Sequence, residues 1–520
     1  MKMAESKANV FAMHPIFSKG VVLQREKEVS IWGTGETGRE VIVMFRGTRQ
    51  KTKIDNHGEW CVKIDSGSAG GTYELHAECE GNEMTISDVL VGDVYFAAGQ
   101  SNMEFPLKDA ADWNAAEQNQ QDAQIRYYNI YKTADEMEGR LHCGIWKDCW
   151  NDECGDISAV AYFFSKKLRE KLSVPIGIIG CNVGGSSASC WIREETLGQD
   201  EEIKKRYLDP YYYNINILKE EGQRKLEQEY EYQVSEYQKI REKLVSENPG
   251  LSEYEIRKRI GRCPWPPPLT QKSGFRPGGY YKAMFYPLHR LTLKAVLWYQ
   301  GEEDSKYPDV YDRLLRLLIR QWRKDFEDCQ LPFFIVQLPG YEEVPVANAW
   351  AMVREAQRRV CEEEENTFLV VTLDLGERKD IHPKHKKVLG ERVASAALYY
   401  VYHVYKENFV YPEICKVSKL DGELLLEAKN LGGTCIVKGG EEKTLVLELS
   451  KNGKEFIKAE GILKQNQIRL KAEGMELPVF IRYGWSNYPD VYLYNEEGFP
   501  FSPFEIWVQE RLEKAEKNKA

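Results

Sequence analysis

The sequence predicts an α/β core flanked by two β-domains. Three observations predict this class. Short alternating stretches with Gly- and Asp-containing turns fill about 17–91, apolar runs alternate with helical patterns over about 92–407, and period-two alternation returns after Asn408. A chain of 520 residues exceeds what one hydrophobic core usually organises, so its length predicts two or three domains. The patterns divide the chain into an N-terminal β-sandwich (1–91), a central α/β domain (92–407) and a C-terminal β-domain (408–520).

The N-terminal domain is predicted from stretches that alternate apolar and polar residues, as in a small antiparallel sandwich. These stretches are Val29 to Trp32, Glu40 to Phe45 and Trp60 to Ile64. The same pattern predicts C-terminal strands at Leu424 to Ala428, Leu445 to Leu449 and Gln467 to Ala472.

The central domain is predicted from continuous apolar runs, which are typical of parallel strands buried on both faces. The predicted strands are 93–98, 176–182, 295–299, 333–337 and 367–373, and the predicted helices are 159–172, 311–326, 349–361 and 387–405. A segment rich in Glu, Lys and Tyr interrupts this order and predicts a helical insertion over about 204–268. The simplest explanation of its many charges is a helix face exposed to solvent. The stretch from Pro264 to Pro268 at its end is predicted to be a stiff link back to the core.

Composition excludes several functions. The formal net charge of −10 argues against a nucleic-acid partner. The sequence contains no run of 18 or more apolar residues, so it gives no indication of a membrane partner. The first nine residues lack the apolar centre of a secretory signal, which predicts a cytoplasmic location. The 12 Cys show no zinc-ligand spacing, so we expect reduced thiols and no metal. The sequence does not determine the oligomeric state.

Ser101 lies in Gly99-Gln-Ser-Asn-Met103, directly after a predicted buried strand and before a helix. A serine at such a turn can be exposed and lie beside backbone N–H groups, as a nucleophile requires. Taken alone, this motif is weak evidence, because a serine that only caps the start of a helix is the simpler interpretation.

Three other segments follow predicted parallel strands and should therefore reach the same edge of the sheet as Ser101. Asp380-Ile-His382-Pro383 offers a histidine base with a nearby acid, Gly184-Gly185 offers backbone N–H groups, and Gln300 offers an amide donor. Each is weak evidence by itself, but all four occur at predicted strand ends.

In this combination the sequence resembles the sialate O-acetylesterase-like family of SGNH-type carbohydrate esterases. The resemblance is carried by the Ser101 motif, Gly184-Gly-Ser186, Trp298-Tyr-Gln-Gly-Glu302 and Asp380-Ile-His-Pro383. Further similar stretches are Val22-Leu-Gln24, Ala351 to Gln357, and Tyr492-Leu-Tyr-Asn495 with Gly498-Phe-Pro500. The likeness thus spans nearly the whole chain.

The resemblance implies a flavodoxin-like three-layer SGNH core and removal of O-acetyl groups from a carbohydrate, such as a sialic acid or an acetylated oligosaccharide, without a cofactor. Ser101 would attack the acetyl carbonyl, His382 would act as its base, and Asp380 would orient the histidine. The N–H groups of Ser101 and Gly185 and the Gln300 amide would form the oxyanion hole. Substrate contacts are expected from Gln100, Asn102, Gly184, Glu302 and Arg276.

Several alternatives remain open. Many relatives place the acid three residues before the histidine, where this chain has Lys379, so a Ser-His dyad assisted by a backbone carbonyl, Glu377 or Asp374 competes with the triad. A metal hydrolase using His382 and His385 is disfavoured because no third ligand cluster is present. A non-catalytic glycan-binding protein and an SGNH thioesterase or lipase acting on longer acyl chains are the other rivals. Arg276 or Arg354 would meet the carboxylate of a sialic acid, whereas a neutral sugar needs stacking aromatics.

Overall fold

The chain forms two compact units, Met1–Trp298 with Arg316–Phe333 and Tyr299–Leu315 with Phe334–Ala520. The structure, a computed structural model, describes residues 10–114, 122–137, 144–150, 154–251, 253–420, 423–432, 436–437, 444–464, 467–470 and 480–509. The predictions for residues 1–9 and 471–472 therefore lie outside the described residues.

The first unit begins with two sheets. Their strands are β1 Ala12–Met13, β2 Val22–Gln24, β3 Glu28–Thr34, β4 Glu40–Phe45, β5 Thr48–Lys53, β6 Glu59–Asp65, β7 Gly70–Cys79 and β8 Asn82–Gly99. One sheet has the order β1-β3-β6, and in the other β4 pairs with β5 and β7 while β7 pairs with β8. These pairings are antiparallel, whereas β2 pairs with β8 in parallel. The three strands predicted here are confirmed, each to within two residues at either end.

Strand β8 is 18 residues long, and its two halves have different surroundings. Its first seven residues are exposed or half-buried, in alternation from Glu83 onward, whereas every residue from Val89 to Gly99 is buried. The second half contains the apolar run predicted at 93–98. The predicted domain limit at 91/92 falls inside this strand, and the division into three domains stays a prediction.

The second half of β8 belongs to the main sheet of the first unit. Its other strands are β9 Asp122–Asn129, β10 Trp146–Cys149, β11 Ile176–Asn182 and β12 Ala295–Tyr299, in the order β10-β9-β11-β8-β12. Strands β9, β11 and β8 are mutually parallel, and the edge strand β10 is antiparallel to β9. Two helices accompany these strands, α1 Ser101–Glu104 and α2 Ala159–Leu172. Helix α2 begins after Ser158, whose hydroxyl accepts the N–H of Ala161.

The predicted insertion is helical. Two short helices, α3 Glu194–Leu197 and α4 Glu201–Ile203, precede its predicted start. The insertion itself contains a π-helical turn over Lys204–Leu208, α5 Asp209–Glu247 and α6 Glu253–Ile260. Helix α5 is interrupted by non-helical dihedral angles at Lys219, and most of its described side chains are exposed or half-buried, as expected for a charged, solvated helix. A second π-helical turn follows at Tyr281–Phe285.

The remaining core elements alternate as predicted. They are α7 Tyr311–Asp325, β13 Phe333–Val336, α8 Ala349–Glu363, β14 Thr367–Val370 and α9 Lys386–Tyr400. The last helix ends five residues before the predicted limit at Tyr405. In the second unit the N–H of Gln337, directly after β13, donates to the carbonyl of Val370 at the end of β14.

The C-terminal part of the second unit is a sheet with a core of its own. The strands are β15 Glu413–Leu420, β16 Glu423–Lys429, β17 Ile436–Val437, β18 Thr444–Ser450, β19 Ile457–Lys464, β20 Gln467–Leu470, β21 Phe480–Tyr483, β22 Leu493–Tyr494 and β23 Phe504–Trp507. Seven of them form an antiparallel sheet in the order β15-β16-β20-β19-β18-β21-β23, and β17 pairs with β22. Its core includes Val417, Leu426, Leu445 and Ile481, all buried.

Within the described residues, no helix combines the length and apolar character needed to span a lipid bilayer. In the same part of the chain, no three His, Cys, Asp or Glu side chains are grouped so that they could bind a metal ion.

Candidate active site

Ser101 is the first residue of helix α1, as the strand-to-helix prediction requires. Strand β8 ends at Gly99, whose φ of +138° favours glycine, and Gln100 is extended before the helix begins. The carbonyl of Gln100 accepts the N–H groups of Met103 and Glu104. The Ser101 side chain is half-buried, whereas Gln100 and Asn102 are buried. The tight turn therefore places a partly accessible hydroxyl at the end of the strand.

Gly184 lies against Ser101 because β8 and β11 are in register. Gly99 pairs with Asn182, so Ser101 and Gly184 each follow two residues after a paired position. A Cβ built on Gly184 would lie 3.3 Å from Cβ of Ser101. The next residue, Gly185, has φ +72°, which side chains other than glycine rarely adopt. The prediction that the Gly-Gly loop approaches Ser101 is confirmed.

Hydrogen bonds hold this loop, here called the glycine loop and defined as Val183 to Ser186. The Gly184 N–H donates to Oε2 of Glu104 at 2.7 Å. At its other end, the Ser186 hydroxyl donates to the carbonyl of Val183 at 2.7 Å and accepts Nε1–H of the buried Trp191 at 2.9 Å. The loop is thus fixed at both ends before any substrate binds.

Glu104 is a residue that the sequence analysis missed. It ends the same helical turn that begins with Ser101, and its carboxylate bonds both the glycine loop and the ammonium of Lys132. The signal was present, because an acid three residues after a predicted nucleophile lies within one helical turn of it. Its pairing with Gly184, 80 positions away in the chain, was not predictable from local pattern.

An aromatic cluster packs against Gly185. A Cβ built on Gly185 would overlap the six-membered ring of Trp265. The Trp265 ring packs perpendicular to Phe275, which packs against Tyr280, and Tyr280 stacks on Trp191. Burial raises the pKa of Tyr280, and the charges of Cys190 and Glu104 add to this, so its phenol is protonated at neutral pH.

Gln300 lies directly after β12, in the second unit, and is fully buried. Its Nε2 donates to Oδ2 of the buried Asp304 at 2.7 Å, and its Oε1 lies 3.0 Å from the hydroxyl of Tyr311. Gln357 donates to its backbone carbonyl at 3.0 Å. These contacts set the orientation of the amide. The buried contact of Asp304 with Gln300 was not predicted from the sequence.

The loop that carries His382 is also in the second unit. Asp380 accepts the backbone N–H of His382 through Oδ1 at 3.0 Å, which closes a local Asx-type turn. Glu377 accepts the backbone N–H of Lys384 at 3.2 Å. Asp374 binds Arg392 through both of its oxygens, at 2.6 and 2.8 Å, so this alternative acid is engaged in a bidentate ion pair.

Lys386, four residues after His382, is almost fully buried at the start of α9. Burial lowers its pKa to about 7, although the charges of Glu302, Asp380 and Glu377 oppose this shift. Its Nζ lies 5.5 Å from the ring centroid of Tyr299. Lys386 was not singled out from the sequence, where it is one more Lys in a Lys-rich stretch.

The two arginines considered for a sugar carboxylate are both buried. Arg276 donates to the carbonyl of Ser273 at 3.1 Å and is hydrogen-bonded to the hydroxyl of Tyr211. Arg354 is fully buried and donates to the backbone carbonyl of Ser486, and burial lowers its pKa to about 9. Its contacts with the backbone carbonyls of Ser486 and Asn487 indicate a structural role for Arg354. A substrate contact by Arg276 stays a prediction.

The predicted site residues are divided between the two units. Ser101 lies with Gln100, Asn102, Gly184 and Gly185 in the first, whereas Gln300, Glu302, Asp380 and His382 lie in the second. Chemically, the first group combines a hydroxyl with a rigid glycine loop, which suits acyl transfer. The catalytic role of each residue stays a prediction.

Comparisons with known proteins agree on one family. Residues 91–214 and 278–399 match the domain described as "Carbohydrate esterase, sialic acid-specific acetylesterase". A sialate O-acetylesterase from Rattus norvegicus is 26% identical over 416 residues, covering 72% of this chain and 70% of the rat protein. One from Mus musculus is 25% identical over 455 residues, covering 78% and 76%. A crystal structure of a carbohydrate acetylesterase from Xanthomonas citri superposes with a TM-score of 0.75 at 28% identity, covering 96% of this chain and 99% of that one. The chain thus contains the carbohydrate esterase domain of the sialic acid-specific acetylesterases, and these matches identify it as a carbohydrate O-acetylesterase.

Proposed function

We propose that the protein removes O-acetyl groups from a carbohydrate by a serine acyl-enzyme mechanism, on an SGNH-type core. The observation that supports this most is the contact of Gly184 with Ser101, with the glycine loop held by Glu104. A hydroxyl beside a fixed, side-chain-free loop suits attack on an ester whose carbonyl oxygen becomes negatively charged.

In the proposed reaction, the Ser101 hydroxyl attacks the acetyl carbonyl while His382 takes its proton. The tetrahedral oxyanion accepts hydrogen bonds from the N–H groups of Ser101 and Gly185 and from the Gln300 amide. When the intermediate collapses, the bond to the sugar oxygen breaks, and His382 returns the proton to that oxygen. Water, activated by His382, then attacks the acetyl-serine, which releases acetate and restores the Ser101 hydroxyl.

Two carboxylates are proposed to act through other groups. Glu104 is a positioning residue, because its bond to Gly184 fixes the peptide that precedes the Gly185 N–H. Asp380 shapes the turn that carries His382, and we propose that it also orients the imidazole. The contacts of Gln300 with Asp304 and Tyr311 would preorganise the third oxyanion donor.

The central experiment is the substitution Ser101→Ala, assayed with p-nitrophenyl acetate and with O-acetylated sugars. We expect loss of both activities with a nearly unchanged melting temperature, since the side chain is half-buried and only one oxygen is removed. Mass spectrometry of the wild-type protein after rapid quenching should show acetylation at Ser101. Full activity of the variant would exclude Ser101 as nucleophile. An inactive wild-type protein that still binds glycans would favour a binding function instead.

Asp380→Asn separates the two roles of Asp380. The asparagine oxygen can still accept the His382 backbone N–H, so the turn should survive while the charge that would stabilise the imidazolium is lost. A fall in kcat of about a hundredfold or more is expected if Asp380 orients the histidine. Unchanged kcat, with a loss only in Asp380→Ala, would limit Asp380 to shaping the turn and indicate a dyad.

A further inference from the structure

Trp265 has an unusual position for a residue of its size. It reaches the glycine loop from the Pro-rich segment after α6, and its six-membered ring lies where a side chain on Gly185 would be. Despite this contact and its packing on Phe275, the side chain is 49% exposed. A large aromatic surface is thus left in water directly beside the loop that contacts Ser101.

Packing alone does not account for this arrangement. A tryptophan that served only to cover the glycine loop would gain most by burying its whole ring, because stabilisation grows with the apolar area removed from water. Trp191, which fixes the same loop through Ser186, is fully buried in this way. The exposed part of Trp265 is therefore available for another apolar surface.

We propose that the exposed part of the Trp265 indole is a stacking surface for the pyranose ring of an uncharged O-acetylated sugar. The inference rests on the proposed function, in which the acetyl group lies at Ser101. One oxygen atom joins an acetyl carbonyl to its sugar ring, so the ring must lie close to the glycine loop while the ester reacts. Sugar C–H groups carry partial positive charge and pack against the electron-rich face of an aromatic ring.

The charges near this surface favour an uncharged ring over a sialic acid. Arg276, the arginine of this unit that was considered for a sialate carboxylate, is buried and donates to Ser273 and Tyr211. The Glu104 carboxylate beside the loop is paired with Lys132, so the two charges offset one another. Burying a substrate carboxylate without a cationic partner would be costly, whereas sugar hydroxyls and C–H groups carry no such cost.

Residues 215–277, which include Trp265, lie between the two segments that match the family domain. The stacking surface is therefore carried by a segment of this chain outside the matched domain. This predicts that it sets substrate choice rather than the acyl-transfer step that the matched residues are proposed to perform.

The test compares Trp265→Ala and Trp265→Phe with the wild-type protein on two substrates, O-acetylated xylo-oligosaccharides and p-nitrophenyl acetate. Trp507→Ala is the matched control, because Trp507 is 48% exposed in β23 and lies outside the site. Binding of deacetylated xylo-oligosaccharides to the Ser101→Ala protein, with and without Trp265→Ala, provides a readout that does not depend on turnover. Melting temperatures show whether each variant folds.

We expect Trp265→Ala to lower kcat/KM for the xylo-oligosaccharide esters about tenfold more than for p-nitrophenyl acetate, mainly through KM. Trp265→Phe should recover most of the loss, and Trp507→Ala should behave as wild type. Equal losses on both substrates, or a wild-type protein that acts on 9-O-acetylated sialic acid but not on xylo-oligosaccharide esters, would overturn the inference and leave the proposed function standing. A wild-type protein inactive on every acetyl ester would overturn the proposed function itself.

Discussion

Glu104 offers the sharpest test of how the glycine loop is held. In Glu104→Ala the N–H of Gly184 loses its carboxylate acceptor at 2.7 Å. A hydrogen bond to a charged group contributes roughly 1.5–3 kcal/mol, and loss of one oxyanion donor costs roughly 2.7–4 kcal/mol. The Ser186 and Trp191 contacts still hold the other end of the loop, so only part of the second figure applies. We expect kcat to fall by about ten- to a hundredfold.

The assay is steady-state hydrolysis of p-nitrophenyl acetate, with kcat and KM measured separately. Since the oxyanion forms only during the reaction, KM should change little. Glu104→Gln keeps an oxygen acceptor for Gly184 and should recover much of kcat. Lys132→Ala leaves the acceptor intact and breaks only a partly exposed ion pair, so its effect should stay below about threefold. A Glu104→Ala protein with wild-type kcat would refute the positioning role.

Three further predictions concern other buried or constrained positions. Gly185→Ala should destabilise the protein by about 1–2 kcal/mol in denaturant unfolding, because alanine is strained at φ +72°. It should also shift the fluorescence of Trp265, because the new methyl group displaces the ring. Unchanged stability and fluorescence would contradict the contact between Gly185 and Trp265. Asp304→Ala should lower kcat more than Asp304→Asn, which retains an acceptor for the Gln300 amide, and equal kcat values in the two variants would contradict this role. Lys386 has a folded-state pKa of about 7, below that of an unfolded lysine, so the unfolded chain binds the extra proton between pH 7 and about 10. Unfolding free energy should therefore rise with pH in this window relative to Lys386→Met, by at most about 1.4 kcal/mol per pH unit, and parallel curves for the two proteins would refute the shift.

Local patterns were sufficient to predict most of the core. Strand β11 and helix α2 occur at the predicted limits because a continuous apolar run and a helical spacing are properties of neighbouring residues. The contact of Gly184 with Ser101 also followed, since parallel strands end at one edge of a sheet. The contacts of Glu104 with Gly184 and of Trp265 with Gly185 did not, because each depends on the direction of one side chain, which the order of strands and helices does not determine.

The end of the N-terminal β-sandwich, predicted at residue 91, was the least predictable feature of the fold. The change from alternating to continuous apolar residues near Val89 reads as a boundary between two elements, but both patterns belong to the single strand β8. A change in what covers a strand alters its hydrophobic pattern without ending it. The periodicity of apolar residues therefore indicates which faces of a strand are covered, and it does not indicate where the strand ends.

Because β8 is continuous, the N-terminal module, defined here as residues 1–91, could not be exchanged freely for another domain. The carboxylate of Asp93, fully buried in β8, is bonded by Gln24 at 3.1 Å and by Arg25 at 3.0 and 3.1 Å, so the module neutralises a charge inside the core. A chain shortened to begin at residue 92 would leave that charge without its arginine, a loss that typically costs 3–5 kcal/mol. Any replacement module would have to supply both a strand in register and a cation for Asp93, which makes this segment a fixed part of the enzyme.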